Sequence, residues 1–230
     1  MFFFKHKKIV VDCFTTKESA YKYSPIIPAP VAMPQWIREM QSEYKSKGFI
    51  PSPTMKRCPA IISMLTKGFV MPMWTDLIID INQQQRQFRW MFADGETNAG
   101  EHSPEQWMAF VDPAQYAHFK VVSPWRFKTK KDINFMWTQP FYHDQLNVNY
   151  HLAPAIIEYK DQHSTHLNMF LDLSTKEIMI KAKTPMVQII PMTDKKVEIK
   201  NHLVDQKEYD KLDIPGMFFI NNYKKLKNHE

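Results

Sequence analysis

Glycine is scarce in this chain. Only 5 of 230 residues are glycine, against 16 prolines. A phosphate cradle made of consecutive backbone amides relies on glycine, because a residue without a Cβ lets the backbone close on its ligand. Neither GxGxxG nor GxxxxGK followed by Ser or Thr occurs. Kinase, P-loop and dinucleotide-binding readings lose their main support. Cysteine is scarcer still. Cys13 and Cys58 stand far apart and form no CxxC pair. Two cysteines cannot frame a disulfide scaffold, so the expectation is two buried thiols in a reducing compartment. No apolar run approaches the ~20 residues that a membrane-crossing helix needs. The chain opens Met1-Phe2-Phe3-Phe4 and turns basic at Lys5, His6, Lys7 and Lys8. That order is the reverse of a secretory signal, and the chain is expected to stay where it is made.

Apolar and aromatic residues are plentiful. They make up 44% and 13% of the chain, enough to build a core and to exclude wholesale disorder. The length suits a single domain over residues 1–230, with an alternative division into a mixed part, 1–102, and a β-rich part, 103–230. The net charge is +6. Lysines gather at residues 5–8, 128–131, 195–196 and 224–227 in short, interrupted clusters. Such clusters read as solvated surface, with polyanion contact as the minority alternative.

Patterning predicts a first strand over residues 8–14. Thr15 and Glu18 have capping-box spacing. Prolines 25, 28 and 30 then impose an extended segment. Helices are predicted over 34–44 and 58–67, the second stopped by Gly68. Residues 74–82 and 86–92 read as a hairpin across three glutamines. A polar loop over 94–102 and a short helix starting at Ser103-Pro104 follow. From residue 118 onward the pattern is β. Strands are predicted over 118–122, 125–128, 133–138, 146–150, 155–159, 167–171, 177–181, 186–190 and 197–200. Their spacing near ten residues suggests a sandwich, a barrel or a related closed sheet. A short helix over 204–212 and an apolar, basic segment over 217–227 end the chain.

Several phrases carry a family likeness. Ser-Pro-Trp-Arg-Phe-Lys-Thr at 123–129, Ala-Pro-Ala-Ile-Ile-Glu at 153–158, residues 180–191 and residues 55–81 resemble a family of uncharacterised proteins from tailed bacteriophages, marine ones among them. The likeness covers most of the chain. It implies a viral product carried in the virion or acting in the cytoplasm of an infected bacterium. A more distant resemblance is to the β-clip fold of trimeric dUTPases and dCTP deaminases. Residues 155–158 stand at the family's first apolar strand, residues 180–190 at a later one, and Gln188 at its glutamine. Lys183, Thr184 and Pro185 replace that family's glycine, aspartate and arginine. The fold expected is α+β, mainly β, with a β-clip or jelly-roll-like C-terminal sheet and an N-terminal helix and hairpin elaboration.

Candidate sites follow from residue type. His143, His151, His163 and His166 are the clustered metal-competent side chains, with Glu158 or Asp161 as carboxylate partners. A jelly roll could use such a set for iron or zinc. The competing reading is ordinary hydrogen-bonded histidines with no cofactor. Glu158 is the candidate catalytic base if the nucleotide-enzyme resemblance holds, beside the apolar Ile156 and Ile157. Arg126, Lys128, Lys130 and Lys131, interleaved with Trp125, Phe127, Phe135, Trp137, Phe141, Tyr142 and Tyr150, are the nucleic-acid candidates. Strict alternation puts Trp125 and Phe127 on one face and Arg126 and Lys128 on the other, which favours a core for the aromatics. The function expected is a non-enzymatic assembly role, virion-structural or accessory, as a symmetric homo-oligomer that meets other phage structural proteins. A divergent nucleotide- or metal-dependent enzyme and a nucleic-acid-binding regulator are the alternatives.

Overall fold

Alternation of apolar and polar residues sets the first strand. β1 (Ile9–Thr15) buries Ile9, Val11, Cys13 and Thr15 and turns the residues between them toward the other face. The computed structural model describes residues 8–45, 50–143, 148–160 and 162–212. The apolar N-terminal run and the terminal segment 217–227 lie outside the described residues, as do residue 146, Asn147 and Asp161.

The chain leaves β1 into α1 (Glu18–Tyr23), β2 (Ile27–Pro28), α2 (Ala29–Ala32) and α3 (Gln35–Glu39). The capping box is not formed. Thr15 is buried and its Oγ1 accepts from the Lys17 amide at 3.1 Å, so the helix starts later, at Glu18. The helix predicted over 34–44 is shorter than expected. It ends where Met40 takes an extended ψ of 136°, and the Lys56 ammonium donates to the carbonyls of Arg38 and Met40. Two-residue strands β3 (Glu43–Tyr44) and β4 (Ser52–Pro53) pair beyond it. α4 (Pro59–Thr66) matches the second predicted helix.

Next come β5 (Phe69–Pro72), the hairpin of β6 (Leu77–Asn82) and β7 (Gln87–Phe92), and β8 (Ala99–Glu101). β5 is wholly buried and was not foreseen, since four apolar residues carry no readable period. The β-dominated remainder comprises β9 (Tyr116–Lys128), β10 (Asn134–Thr138), β11 (Tyr150–Leu152), β12 (Ala155–Glu158), β13 (Ser164–Asp172), β14 (Glu177–Ile180), β15 (Pro185–Pro191) and β16 (Val197–Leu203), then α5 (Gln206–Asp210). The architecture is α+β and mainly β.

Among the described residues the strands form two large sheets and two small ones. The first runs β11-β13-β9-β1-β16, with β8 also on β9. The second runs β12-β10-β15-β5-β2, and the third β14-β6-β7. β1 and β16 pair in parallel, from Ile9 with Val197 to Thr15 with Leu203. Strands from before and after residue 102 meet in all three of these sheets. Their inner faces share one buried cluster that includes Trp125, Phe127, Phe135, Leu77, Leu167 and Ile189.

β9 is one strand where two were expected. Pro124 cannot donate to a ladder. It falls at a gap in pairing on both edges. On one edge β8 pairs with residues 119–121 and β1 with 126–128, while on the other the β13 register shifts between Ser164 and His166. The Ser123 hydroxyl accepts from the Trp125 amide at 3.1 Å and satisfies the group left over.

Candidate interaction surfaces

The outer face of the three-stranded sheet carries one apolar row where a solvated sheet would be polar. The hairpin is held at its turn by Asn82, whose Oδ1 accepts from the amides of Gln84 and Gln85. Arg86 takes a φ of 52° to close it. The register then sets Met179, Ile78 and Met91 side by side across the three strands. Met91 is 64% exposed and Met179 53%, with Ile78 half-buried between them. The adjoining row is charged: Glu177, Asp80 and Arg89. The opposite face of the same sheet, with Leu77, Ile79, Ile178 and Ile180, is core.

A cleft of about 780 Å³ opens on a different part of the molecule. Its walls come from β2, the end of α4, the start of β5, and the turn joining β15 to β16. Ile26, Phe69, Val197 and Ile199 supply apolar wall, while Lys8, Lys67, Lys195 and Lys196 face it with Asp194 and Glu198. Two residues build the wall behind it. Gly68 has a φ of +81°, and a Cβ there would lie 2.1 Å from the Ile189 carbonyl oxygen. Only glycine fits that approach. Gln188 is buried and its Nε2 donates to the carbonyls of Met64 and Lys67, closing the C-terminal end of α4. The glutamine likened above to a nucleotide-enzyme position thus has a helix-ending role.

The sequence-predicted sites are dispersed. Arg126, expected as an exposed cation, is buried. Its guanidinium donates to Ser164 Oγ at 2.9 Å and lies 4.7 Å from the ring centre of Tyr209, whose hydroxyl donates to the Pro124 carbonyl. α5 covers it, because the outward face of β9 at this point meets another element instead of water. Lys128, Lys130 and Lys131 are exposed. Most of the aromatics interleaved with them in sequence lie in the core, as the alternation favoured. Trp125, Phe127, Phe135, Trp137 and Tyr150 are all core, so a base-stacking platform of those rings does not form. Phe127 stacks on Tyr159 with ring centres 4.6 Å apart, and the Trp137 indole donates to the Tyr159 hydroxyl. Burial pushes the Tyr159 hydroxyl and the Cys13 thiol well above their ordinary pKa values.

The histidines do not converge on one centre. His163 is buried, with Nδ1 2.8 Å from the Phe127 carbonyl oxygen. His166 pairs in register with Val122 and faces the other side of β13. His151 is exposed on β11, and His143 sits in a turn after Pro140. Among the described residues no group of three or more His, Cys, Asp or Glu side chains is placed to hold a metal ion. The extended backbone separates His163 from His166, where a turn was needed to bring them together. Glu158 ends β12 opposite Asn134, half-buried, with its carbonyl accepting from the Gln162 amide.

One histidine pair was missed. His102 and His118 lie edge to face, ring centres 4.7 Å apart, on the outer face of the first large sheet. Trp107 and Phe170 pack around His118 at 6.4 Å and 4.8 Å. His102 Nδ1 is 2.6 Å from Gln106 Oε1, and the Trp107 indole donates to the His102 carbonyl. Desolvation, then the neighbouring His102 and Lys120, lower the His118 pKa to about 4. The two residues lie sixteen apart in sequence, and only the pairing of β8 with β9 brings them together. A search of protein families, of curated proteins and of solved structures finds no match to this chain.

Proposed function

We propose that this protein is a non-enzymatic assembly protein that associates with copies of itself into a symmetric oligomer. It would serve as a structural or accessory component of a tailed-phage particle. The observation that carries the association is the row Met179, Ile78 and Met91, facing outward from a sheet whose other face is already core. Burying that row removes apolar surface from water, which is worth roughly 25 cal/mol per Å². A two-fold axis parallel to the strands would set Met179 against Met91 of a second copy and Glu177 against its Arg89. Like patches meeting across such an axis give the closed symmetry common in homo-oligomers. The phage setting rests on the likeness expected from residues 55–81, 123–129, 153–158 and 180–191.

Light scattering coupled to size-exclusion chromatography tests the association. The wild type is expected to run as a defined oligomer, and Met91→Glu with Met179→Glu as a monomer with unchanged circular dichroism. A monomeric wild type at ~100 µM rules the association out. Quantitative mass spectrometry of purified particles tests the setting. Stoichiometric copies per particle support a virion component, and absence removes it.

A further inference from the structure

We propose that the cleft between the end of α4 and the β15–β16 turn is a binding site for a phosphate-bearing ligand with an apolar ring body, such as a nucleotide or a nucleic-acid strand. Four lysines from three separate stretches of sequence, Lys8, Lys67, Lys195 and Lys196, line one cleft against two acids. Glu198 is already taken up, by Lys8 at 3.3 Å. Among the described residues Lys67, Lys195 and Lys196 form no ion pair with any carboxylate, and Asp194 alone stands against them. The field in the cleft is therefore positive where the ligand would sit, and low-dielectric walls concentrate it.

Several backbone carbonyls behind this wall are engaged in hydrogen bonds, and Asp194 is the one carboxylate left facing the cleft without an ion-pair partner among the described residues. The last carbonyls of a helix carry partial negative charge. At α4 those of Met64 and Lys67 are bonded to Gln188, and the Gly68 carbonyl accepts from the Ala29 amide at 2.9 Å. Thr193 Oγ1 accepts from the Lys195 amide at 3.3 Å and helps shape the turn that carries the two lysines. Ile26, Pro28, Phe69 and Pro191 form an apolar surface beside these cations. A cleft lined by both apolar residues and cations suits a ring system bearing phosphate better than an extended acidic chain. The volume of about 780 Å³ falls within the ~300–1,000 Å³ of ordinary ligand sites. Of the lysine clusters for which polyanion contact was the minority alternative, the one at 195–196 lines this cleft.

Fluorescence anisotropy on the full chain tests this, with a labelled adenosine triphosphate analogue and a labelled 5′-phosphorylated single-stranded oligonucleotide as probes. Saturable binding is expected, with log affinity falling against log salt at a slope near −2 for about three phosphates, from roughly 0.7 per phosphate. Lys195→Glu with Lys196→Glu is expected to lose at least tenfold. Lys176→Glu with Lys207→Glu carries the same charge change outside the cleft and should lose less than about threefold. Nucleotide binding alone assigns a free nucleotide, and oligonucleotide binding alone assigns a strand. Equal losses in both variants, displacement by an acidic peptide as effective as by nucleotide, or no binding of either probe at ~1 mM overturns the proposal. Unchanged melting temperatures of the variants separate lost binding from lost fold.

Discussion

His118 lies edge-on to His102 with ring centres 4.7 Å apart, and Trp107 and Phe170 close around it. Proton uptake there would put positive charge into an aromatic surround beside Lys120. The His118 pKa is accordingly lowered, from 6.5 to about 4. An unfolded chain takes up the proton near 6.5, before the folded chain does. The stabilisation is fully present above pH 6.5, is lost progressively down to about pH 4, and is flat below. Thermal melts of the wild type at intervals across that window are expected to fall with pH. His118→Phe keeps a ring against Phe170 and should flatten the dependence. A parallel decline in wild type and variant would show that another group controls it.

Asp94 is a second acid-sensitive point. Burial by itself would raise its carboxyl, but hydrogen bonds from Lys17, Thr97 and Glu96 leave it below its ordinary 3.8. Lys17 Nζ is 2.6 Å from Oδ2, and both side chains are largely buried. The contact ties the loop after β7 to the start of α1. Its stabilisation is present above the unfolded value and disappears as pH falls through the lower folded one. Asp94→Ala removes the nearer carboxylate of Lys17 and leaves the Glu96 and Thr97 amides without this acceptor, so a loss of about 1–3 kcal/mol is expected in urea melts at pH 7. Glu96→Ala, which removes only the exposed partner at 3.6 Å, is expected to change stability little.

Much of the fold was legible because burial alternates with period two. β1, β13 and the buried run of β15 follow directly from their residues. The same alternation placed Trp125 and Phe127 in the core. It misled at Pro124, which read as a break between strands. That proline occupies a gap in the ladders that only the partners β1, β8 and β13 define. Pairing of β1 with β16 joins residues almost two hundred positions apart, and no local pattern encodes it. The sites were less legible for the same reason. His102 with His118, and Lys67 with Lys195, become neighbours through tertiary pairing, whereas the histidines close in sequence are held apart by extended backbone.

Gly68 and Gln188 act on the same joint from opposite sides, and they give the sharpest test of how the lysine cleft is built. Gly68 combines a φ of +81° with a backbone carbonyl 2.1 Å from where a Cβ would stand. Gly68→Ala therefore adds a steric clash with rigid backbone to an unfavourable conformation, and a loss above about 2 kcal/mol is expected. Gly100→Ala meets open space and no positive φ, so it should lie within about 0.5 kcal/mol of wild type. Gln188→Met keeps the side-chain volume but removes the donor to Met64 and Lys67. Two part-buried carbonyls then lose this partner, which costs about 1–3 kcal/mol. Gln188→Glu should be worse, because a buried carboxylate would face those carbonyls with negative charge. Urea unfolding monitored by tryptophan fluorescence checks all four variants. Equal stability of the Met and Glu variants would mean that the glutamine fills space there and does not end the helix.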